Sequence, residues 1–341
     1  MNPVPAPARR RPGRSRVVAT LGLLLACAGD SVTPPPQAPG NGGAGILILR
    51  VFDLGRNDSG GGGDALLITD SSAAGQRHVL VDAGPAGQGG TDLDYIAGRL
   101  QALGVDTLEA LVLSHAHTDH FDGMSDVLDR VHVRVFYYNG QVRNFFRYQS
   151  LVTQVLTDAE TRVAVSQPID LELGTSAGTH VRILAPLATY LNDPNAESAE
   201  INDGSLGTLV RRGSFSLFVA GDGEVEANQR WRTVYADETR SVTALKVGHH
   251  GANDAIFDNG AAGASAWLAH TDPALQLVSA NGTSHPRIRA LTALLARAAE
   301  TYCTSVHGDI EVRVDTTGAT WVVSVQRNAG ADCVPGSNAT T

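Results

Sequence analysis

Ser114-His115-Ala116-His117-Thr118-Asp119-His120 places three imidazoles and one carboxylate within a single short stretch. It follows the apolar run 108–113, which reads as a buried strand. His115 and His117 are two residues apart, so in extended backbone both side chains point the same way and can grip one ion. Once the chain turns into a helix, Asp119 and His120 can present a carboxylate and an imidazole to a second ion. Nitrogen and oxygen donors without thiolate suit zinc, manganese or iron and leave room for water. The run is therefore read as a metal centre at a strand end.

On either side of it, β-rich segments alternate with helical ones. Strands are expected over 46–52, 65–69 and 78–81, and a helix over 92–103. After the histidine run the pattern predicts a helix over 122–130, a strand over 131–137 and a helix over 142–156. Strands follow over 181–184, 205–211, 215–220 and 243–247. A helix over 287–300 then precedes strands over 303–306, 310–314 and 320–325. The expected class is α/β, one sandwich of two packed sheets with helices outside. Gly60 to Gly63 lacks the following Lys-Ser/Thr of a phosphate-cradling loop. A Gly-x-Ser-x-Gly elbow is also absent, which removes the usual serine-hydrolase reading.

Several further segments, taken in order, resemble the metallo-β-lactamase fold superfamily, whose hallmark is His-x-His-x-Asp-His at a strand end. Val51-Phe52-Asp53-Leu54-Gly55 followed by Gly63-Asp64-Ala65 resembles the opening "DVGQGDA" of one branch, interrupted by residues 56–62. Val81-Asp82-Ala83-Gly84 is similar to the superfamily's Asp-x-Gly turn. Asn202-Asp203-Gly204-Ser205-Leu206, Phe218-Val219-Ala220-Gly221-Asp222 and Leu245-Lys246-Val247-Gly248-His249-His250-Gly251 resemble its "NxxSL", "GD" and "LKVGHHG" segments. Ser279-Ala280-Asn281-Gly282-Thr283-Ser284-His285-Pro286 resembles its late segment. Together they look like the metal-dependent domain of ComEC-like competence proteins and related phosphorylcholine esterases.

The resemblance implies an αββα four-layer sandwich holding two divalent metal ions, zinc with manganese or iron as alternatives. The implied ligands are His115, His117, Asp119, His120, Asp222 and His250, with Asp119 and His249 catalytic. Asp222 ends an apolar stretch, where a lone carboxylate is costly unless paired or metal-bound. Adjacent His249 and His250 point different ways, so one is a ligand. His250 is favoured, leaving His249 to face substrate as phosphate binder or proton donor. Asp82 is expected to orient a ligand imidazole and not to coordinate. Lys246 reads as a packing or snorkelling residue, and His285 as either the site's mouth or a surface loop. Many superfamily members supply one more histidine to the His115/His117 site. Here His132 and His180 lie in strand context, and Asn202 stands at the position in question, which predicts weaker binding of one ion.

Such a centre implies a metal-bridging hydroxide attacking the substrate. The expected activity is that of an exported phosphodiesterase or nuclease-like hydrolase, its substrate a small molecule or polymer bearing a phosphodiester or ester. Hydrolysis of carboxylic esters, lactones or β-lactams uses the same chemistry, and a non-catalytic metal-binding lipoprotein is the competing class. The formal net charge of -9 excludes a broad basic nucleic-acid surface. The aromatic cluster Tyr137, Tyr138, Phe145, Phe146 and Tyr148 reads as packing before it reads as a substrate wall.

The N-terminus gives the location. Arg9, Arg10, Arg11, Arg14 and Arg16 precede the apolar run 17–26, an export-signal layout too short to span a bilayer as a permanent helix. Leu24-Leu25-Ala26-Cys27 resembles a bacterial lipobox, which implies cleavage before Cys27 and lipidation of its thiol. The expected organisation is a signal peptide over 1–27, a Pro/Gly linker over 28–45, a hydrolase domain over 46–327 and a tail over 328–341. Such a protein is membrane-anchored and faces the periplasm or the cell exterior. With Cys27 assigned to lipid, Cys303 and Cys333 remain as an even pair in an oxidising compartment, and a disulfide is predicted.

Overall fold

The computed structural model describes residues 45–55, 62–86, 95–174, 178–258, 265–297 and 299–340. The expectations for residues 1–44, for most of the glycine-rich loop and for the start of the 92–103 helix lie outside them. In chain order the strands are β1 (Ile46–Val51), β2 (Leu66–Ser72), β3 (Gly75–Val81), β4 (Thr107–Val112), β5 (His132–Tyr138), β6 (Ala159–Ala164), β7 (Ile169–Leu173) and β8 (Thr179–Leu184). They continue as β9 (Gly207–Arg212), β10 (Phe215–Val219), β11 (Ala244–Lys246), β12 (Leu275–Val278), β13 (Glu300–Cys303), β14 (Ile310–Val314) and β15 (Trp321–Val325). The helices are α1 (Tyr95–Ala102), α2 (Thr118–Phe121), α3 (Met124–Arg130), α4 (Phe146–Asp158), α5 (Ser198–Asp203), α6 (Val225–Val234), α7 (Ala236–Thr239), α8 (Ala266–Thr271), α9 (Ile288–Leu295) and α10 (Thr304–His307).

Two mixed sheets result, ordered β15-β14-β1-β2-β3-β4-β5-β6 and β13-β12-β11-β10-β9-β8-β7. Alternating side chains give the central strands of both sheets two apolar faces. Leu47, Leu49, Val51 and Val79 of the first sheet meet Val210, Leu217, Ala244 and Leu277 of the second in a core between the sheets. On the outer side of the first sheet, Leu67, Leu80 and Leu111 pack on Ile96, Val127 and Leu151 of the helices. On the outer side of the second, Leu209, Phe218 and Leu245 pack on Trp231, Trp267 and Leu291. The layers are helix, sheet, sheet, helix, the αββα sandwich that the alternation of elements implied.

Parallel pairing of β3 with β4 and of β10, β11 and β12 decides where chemistry sits. Residues that follow these strands emerge at one end of the sandwich, beyond the strands' carboxyl ends, where open α/β sheets hold their ligands. Asp82 follows β3, the histidine run follows β4, Asp222 follows β10, His249 and His250 follow β11, and Ser279 follows β12.

Some expected boundaries are corrected. The helix over 122–130 begins at Met124 as α3, separated from the earlier turn α2 by Asp122 and Gly123, where a Cβ would come 2.2 Å from the Ala83 carbonyl oxygen. The helix over 142–156 starts at Phe146, because Asn139 ties back the amide of Gln141 in a turn. The helix over 287–300 ends at Leu295 and β13 begins at Glu300. The strand over 303–306 is instead the helical turn α10, with Thr304 Oγ1 accepting from the Ala280 amide.

Candidate metal centre

Four imidazoles converge on one carboxylate oxygen. Asp222 Oδ2 lies 3.2 Å from His120 Nε2, 3.5 Å from His250 Nε2, 3.8 Å from His115 Nε2 and 4.0 Å from His249 Nε2. Asp222 is 2% exposed, and its Oδ1 has no hydrogen-bond partner among the described residues. The close approach depends on Gly221, in left-handed backbone at φ 53°, where a Cβ would sit 2.9 Å from the Ser114 Cβ.

The outer nitrogen of each converging ring is tied down. Ser114 donates its backbone amide and its hydroxyl to the Asp82 carboxylate, at 2.8 and 2.7 Å. Its one hydroxyl hydrogen being used there, the Ser114 oxygen accepts from His115 Nδ1 at 3.0 Å, and His115 turns its unprotonated Nε2 inward. His120 donates from Nδ1 to Asp82 Oδ2 at 2.8 Å and likewise presents Nε2. His250 donates from Nδ1 to the Ser279 carbonyl at 3.0 Å, which leaves Nε2 3.2 Å from Asp119 Oδ2. His117 is turned the other way, with Nε2 3.3 Å from Ser198 Oγ and Nδ1 inward.

Two sets of donor atoms follow, each within 4.8 Å: His115, His117 and Asp222 in one, and Asp119, His120, Asp222 and His250 in the other. His115 Nε2 and His117 Nδ1 are 3.0 Å apart. At that distance the two nitrogens are close enough to share one cation. The donor chemistry and the unpartnered Asp222 oxygen thus fit divalent ions at both sets.

Burial opposes charge on every group here, but His120, His250 and His249 hold the Asp222 carboxyl well below the usual carboxylate range. Burial, with the neighbouring His120 charge, pushes the His115 imidazole far down, so it stays neutral, as a ligand must. For His120 the pull of Asp222 and Asp82 outweighs burial and raises it, so this ring must give up a proton to take an ion.

His249 stands apart from both sets. Burial notwithstanding, Asp222, Asp254 and Glu224 raise its imidazole well above the usual histidine range. Its Nδ1 lies 3.0 Å from Glu224 Oε1 and 3.5 Å from Asp254 Oδ1. Both His249 and His250 adopt left-handed backbone, at φ 44° and 54°. That tight turn sends the two rings in different directions.

Residues 58–194 match the family model of the metallo-beta-lactamase superfamily, a span that includes the whole histidine run. Over that span the chain is similar to the metallo-β-lactamase superfamily. Over 228 residues, 66% of its length, it is 26% identical to ComE operon protein 3 of Bacillus subtilis, and it spans 27% of that relative. Among solved structures, the metallo-beta-lactamase fold protein YhfI from Bacillus subtilis is 13% identical, with a TM-score of 0.48 over 77% of this chain and 99% of that one. CmlA, a diiron beta-hydroxylase from Streptomyces venezuelae, is 17% identical, with a TM-score of 0.46 over 83% of this chain and 55% of that one.

The other expected residues divide between the donor cluster's surroundings and the surface. His285 lies beside it, its ring 5.6 Å from that of His249. His132 and His180 are far from it, paired on the surface with Glu160 and Glu172 at 2.7 and 2.6 Å. Asn202 is buried and donates from Nδ2 to Glu224 Oε1 at 2.6 Å. Cys303 and Cys333 form a disulfide. Of the aromatic cluster, Tyr137 and Tyr148 are buried whereas Phe146 is 80% exposed.

Sequence reasoning missed two features. Lys246 does not snorkel: its ammonium is buried and bridges both oxygens of Asp64, at 2.9 and 2.7 Å. Both residues sat inside motif segments already singled out, which was the available signal. Arg143 reaches back from the turn before α4 to the Ala116 carbonyl inside the histidine run, and nothing local in the sequence marks it.

Proposed function

We propose that the protein is an extracytoplasmic, metal-dependent phosphodiesterase, nuclease-like in its chemistry. The observation that carries this is the convergence of four imidazoles and Asp119 around the Asp222 carboxylate at the strand ends. His115, His117 and Asp222 would hold one divalent ion, and Asp119, His120, Asp222 and His250 the other. Bound there, such ions lower the pKa of water toward about 7 and polarise the oxygen under attack.

The chain's own groups supply orientation and protons. Asp82, Ser114 and Ser279 fix which nitrogen each ligand ring turns inward, so the site needs little rearrangement when it fills. Against burial, Asp222, Asp254 and Glu224 favour the charged form of His249, whose Nδ1 lies against Glu224 and Asp254. Its Nε2 faces the Asp222 side, where it can protonate a departing oxygen. The resemblance to the ComEC-like motif set, which implies attack on phosphodiesters, supports phosphodiesters over esters or lactams. The signal-like residues 1–27 and the Cys303–Cys333 disulfide support export to an oxidising compartment. Cys27 is the proposed anchor.

The test is a substrate panel on zinc- or manganese-loaded protein: bis-p-nitrophenyl phosphate against p-nitrophenyl acetate, a lactone and nitrocefin. Turnover of the diester that is lost in Asp119→Ala is the expected result. Ester or lactam turnover with an inert diester would overturn the proposed substrate class.

A further inference from the structure

Beside the donor cluster lies a cavity of about 310 Å³ whose wall includes His249, Asp254, His285, Arg287 and Thr340. It adjoins the site through His249, which is both a wall residue and a neighbour of Asp222 at 4.0 Å. Arg287 is the cation of this wall. Its NH1 donates to Thr340 Oγ1 at 3.1 Å, and among the described residues no carboxylate pairs with it. The one acid in the wall, Asp254, is already engaged: Oδ1 accepts from the Ala255 amide at 3.1 Å and faces His249 at 3.5 Å.

The position of Arg287 is fixed from two sides. Its backbone amide donates to the Gly251 carbonyl at 3.0 Å, next to the His249–His250 turn. Gly251, at φ 82°, permits this contact, because a Cβ there would lie 2.8 Å from the Pro286 Cβ. The C-terminal segment closes the other side through backbone bonds from Gly336 to Pro286, Ser337 to Gly282 and Asn338 to Thr283. The disulfide at Cys333 staples that segment to the end of β13. A guanidinium on a tethered backbone, bonded to Thr340, without a carboxylate partner among the described residues and lining a polar cavity, is suited to a planar or tetrahedral oxyanion.

We infer that this cavity is an anion subsite in which Arg287 holds a phosphate group of the substrate other than the one being cleaved. The inference rests on the phosphodiesterase reading and narrows it to substrates that carry a second phosphate near the scissile bond.

Inorganic phosphate is the probe, its binding to the metal-loaded full domain followed by calorimetry. Arg287→Ala and Arg287→Gln are expected to weaken phosphate at least tenfold, and Arg287→Lys less. Arg77→Ala, whose guanidinium pairs with Glu109 on the first sheet, is expected to leave it unchanged. Circular dichroism shows which variants fold, and Arg287→Lys supplies the mildest replacement. Phosphate affinity unchanged in both Arg287→Ala and Arg287→Gln would mean that the metal ions alone hold the anion, and would overturn the subsite. Should the wild type bind phosphate through Arg287 yet leave the diester intact, the proposed activity falls and the subsite stands. Should it cleave the diester while the Arg287 variants bind phosphate normally, the subsite falls and the activity stands.

Discussion

Oδ2 of Asp82 lies 2.8 Å from Nδ1 of His120, so a residue at the end of β3 determines which nitrogen of a β4-end imidazole faces Asp222. Asp82 holds this position in left-handed backbone at φ 57°, a conformation Asp tolerates better than most residues. Replacing the carboxylate by an isosteric amide removes the charge-assisted bond with little change in shape. Asp82→Asn is expected to weaken binding at the Asp119/His120/His250 set by about 10–100-fold. Competition against a chromogenic chelator measures it. Wild-type affinity in the variant would show that packing alone orients His120.

The Lys246–Asp64 pair is almost fully buried, at 1% and 5% side-chain exposure. Removing one partner strands the other charge away from water, at a cost of about 3–5 kcal/mol. Lys246→Met should therefore lower the urea midpoint strongly, and Lys246→Met combined with Asp64→Leu should recover much of the loss. A single variant as stable as the wild type would contradict the burial argument.

His78 offers a pH test remote from the metal donors. Burial, with the charge of Arg50, lowers its imidazole from 6.5 to about 4. Between these values the unfolded chain binds the proton that the folded chain refuses. The stability contributed is complete above pH 6.5 and declines as pH falls toward 4. His78→Gln should flatten this part of the wild-type profile, read as the difference in urea midpoints at pH 7 and pH 5. An identical slope in the two proteins would show that other groups cause the decline.

The disulfide closes a loop of thirty residues in sequence. Its loss in Cys303→Ala/Cys333→Ala should cost about 2–4 kcal/mol, seen as a lower Tm than that of the oxidised wild type. Equal melting temperatures would mean that the tail's hydrogen bonds suffice.

The fold class was legible because short apolar runs such as those in β1, β4 and β10 alternate with helical spacing, and because the histidine run marks a strand end. What escaped were strands without that pattern. β6 (AETRVA) and β7 (IDLEL) are the outer edges of their sheets, and an edge strand does not need apolar residues on both faces. β12 is only four residues long, too short for periodicity to register. In the site, local spacing could show that His115, His117, Asp119 and His120 cluster. It could not show that Ser114 sets the tautomer of His115, or that Asn202 engages Glu224, since these depend on long-range packing. The pairing of Lys246 with Asp64 crosses from one sheet to the other over 182 residues, beyond any sequence window.

The most direct test of the metal centre is the metal content of the purified protein and of Asp222→Ala, measured by inductively coupled plasma mass spectrometry after dialysis. The shared carboxylate predicts about two divalent ions per wild-type chain and, with both donor sets losing a ligand, fewer than one in the variant. Equal metal content in the two proteins, or none in the wild type after loading, would contradict it.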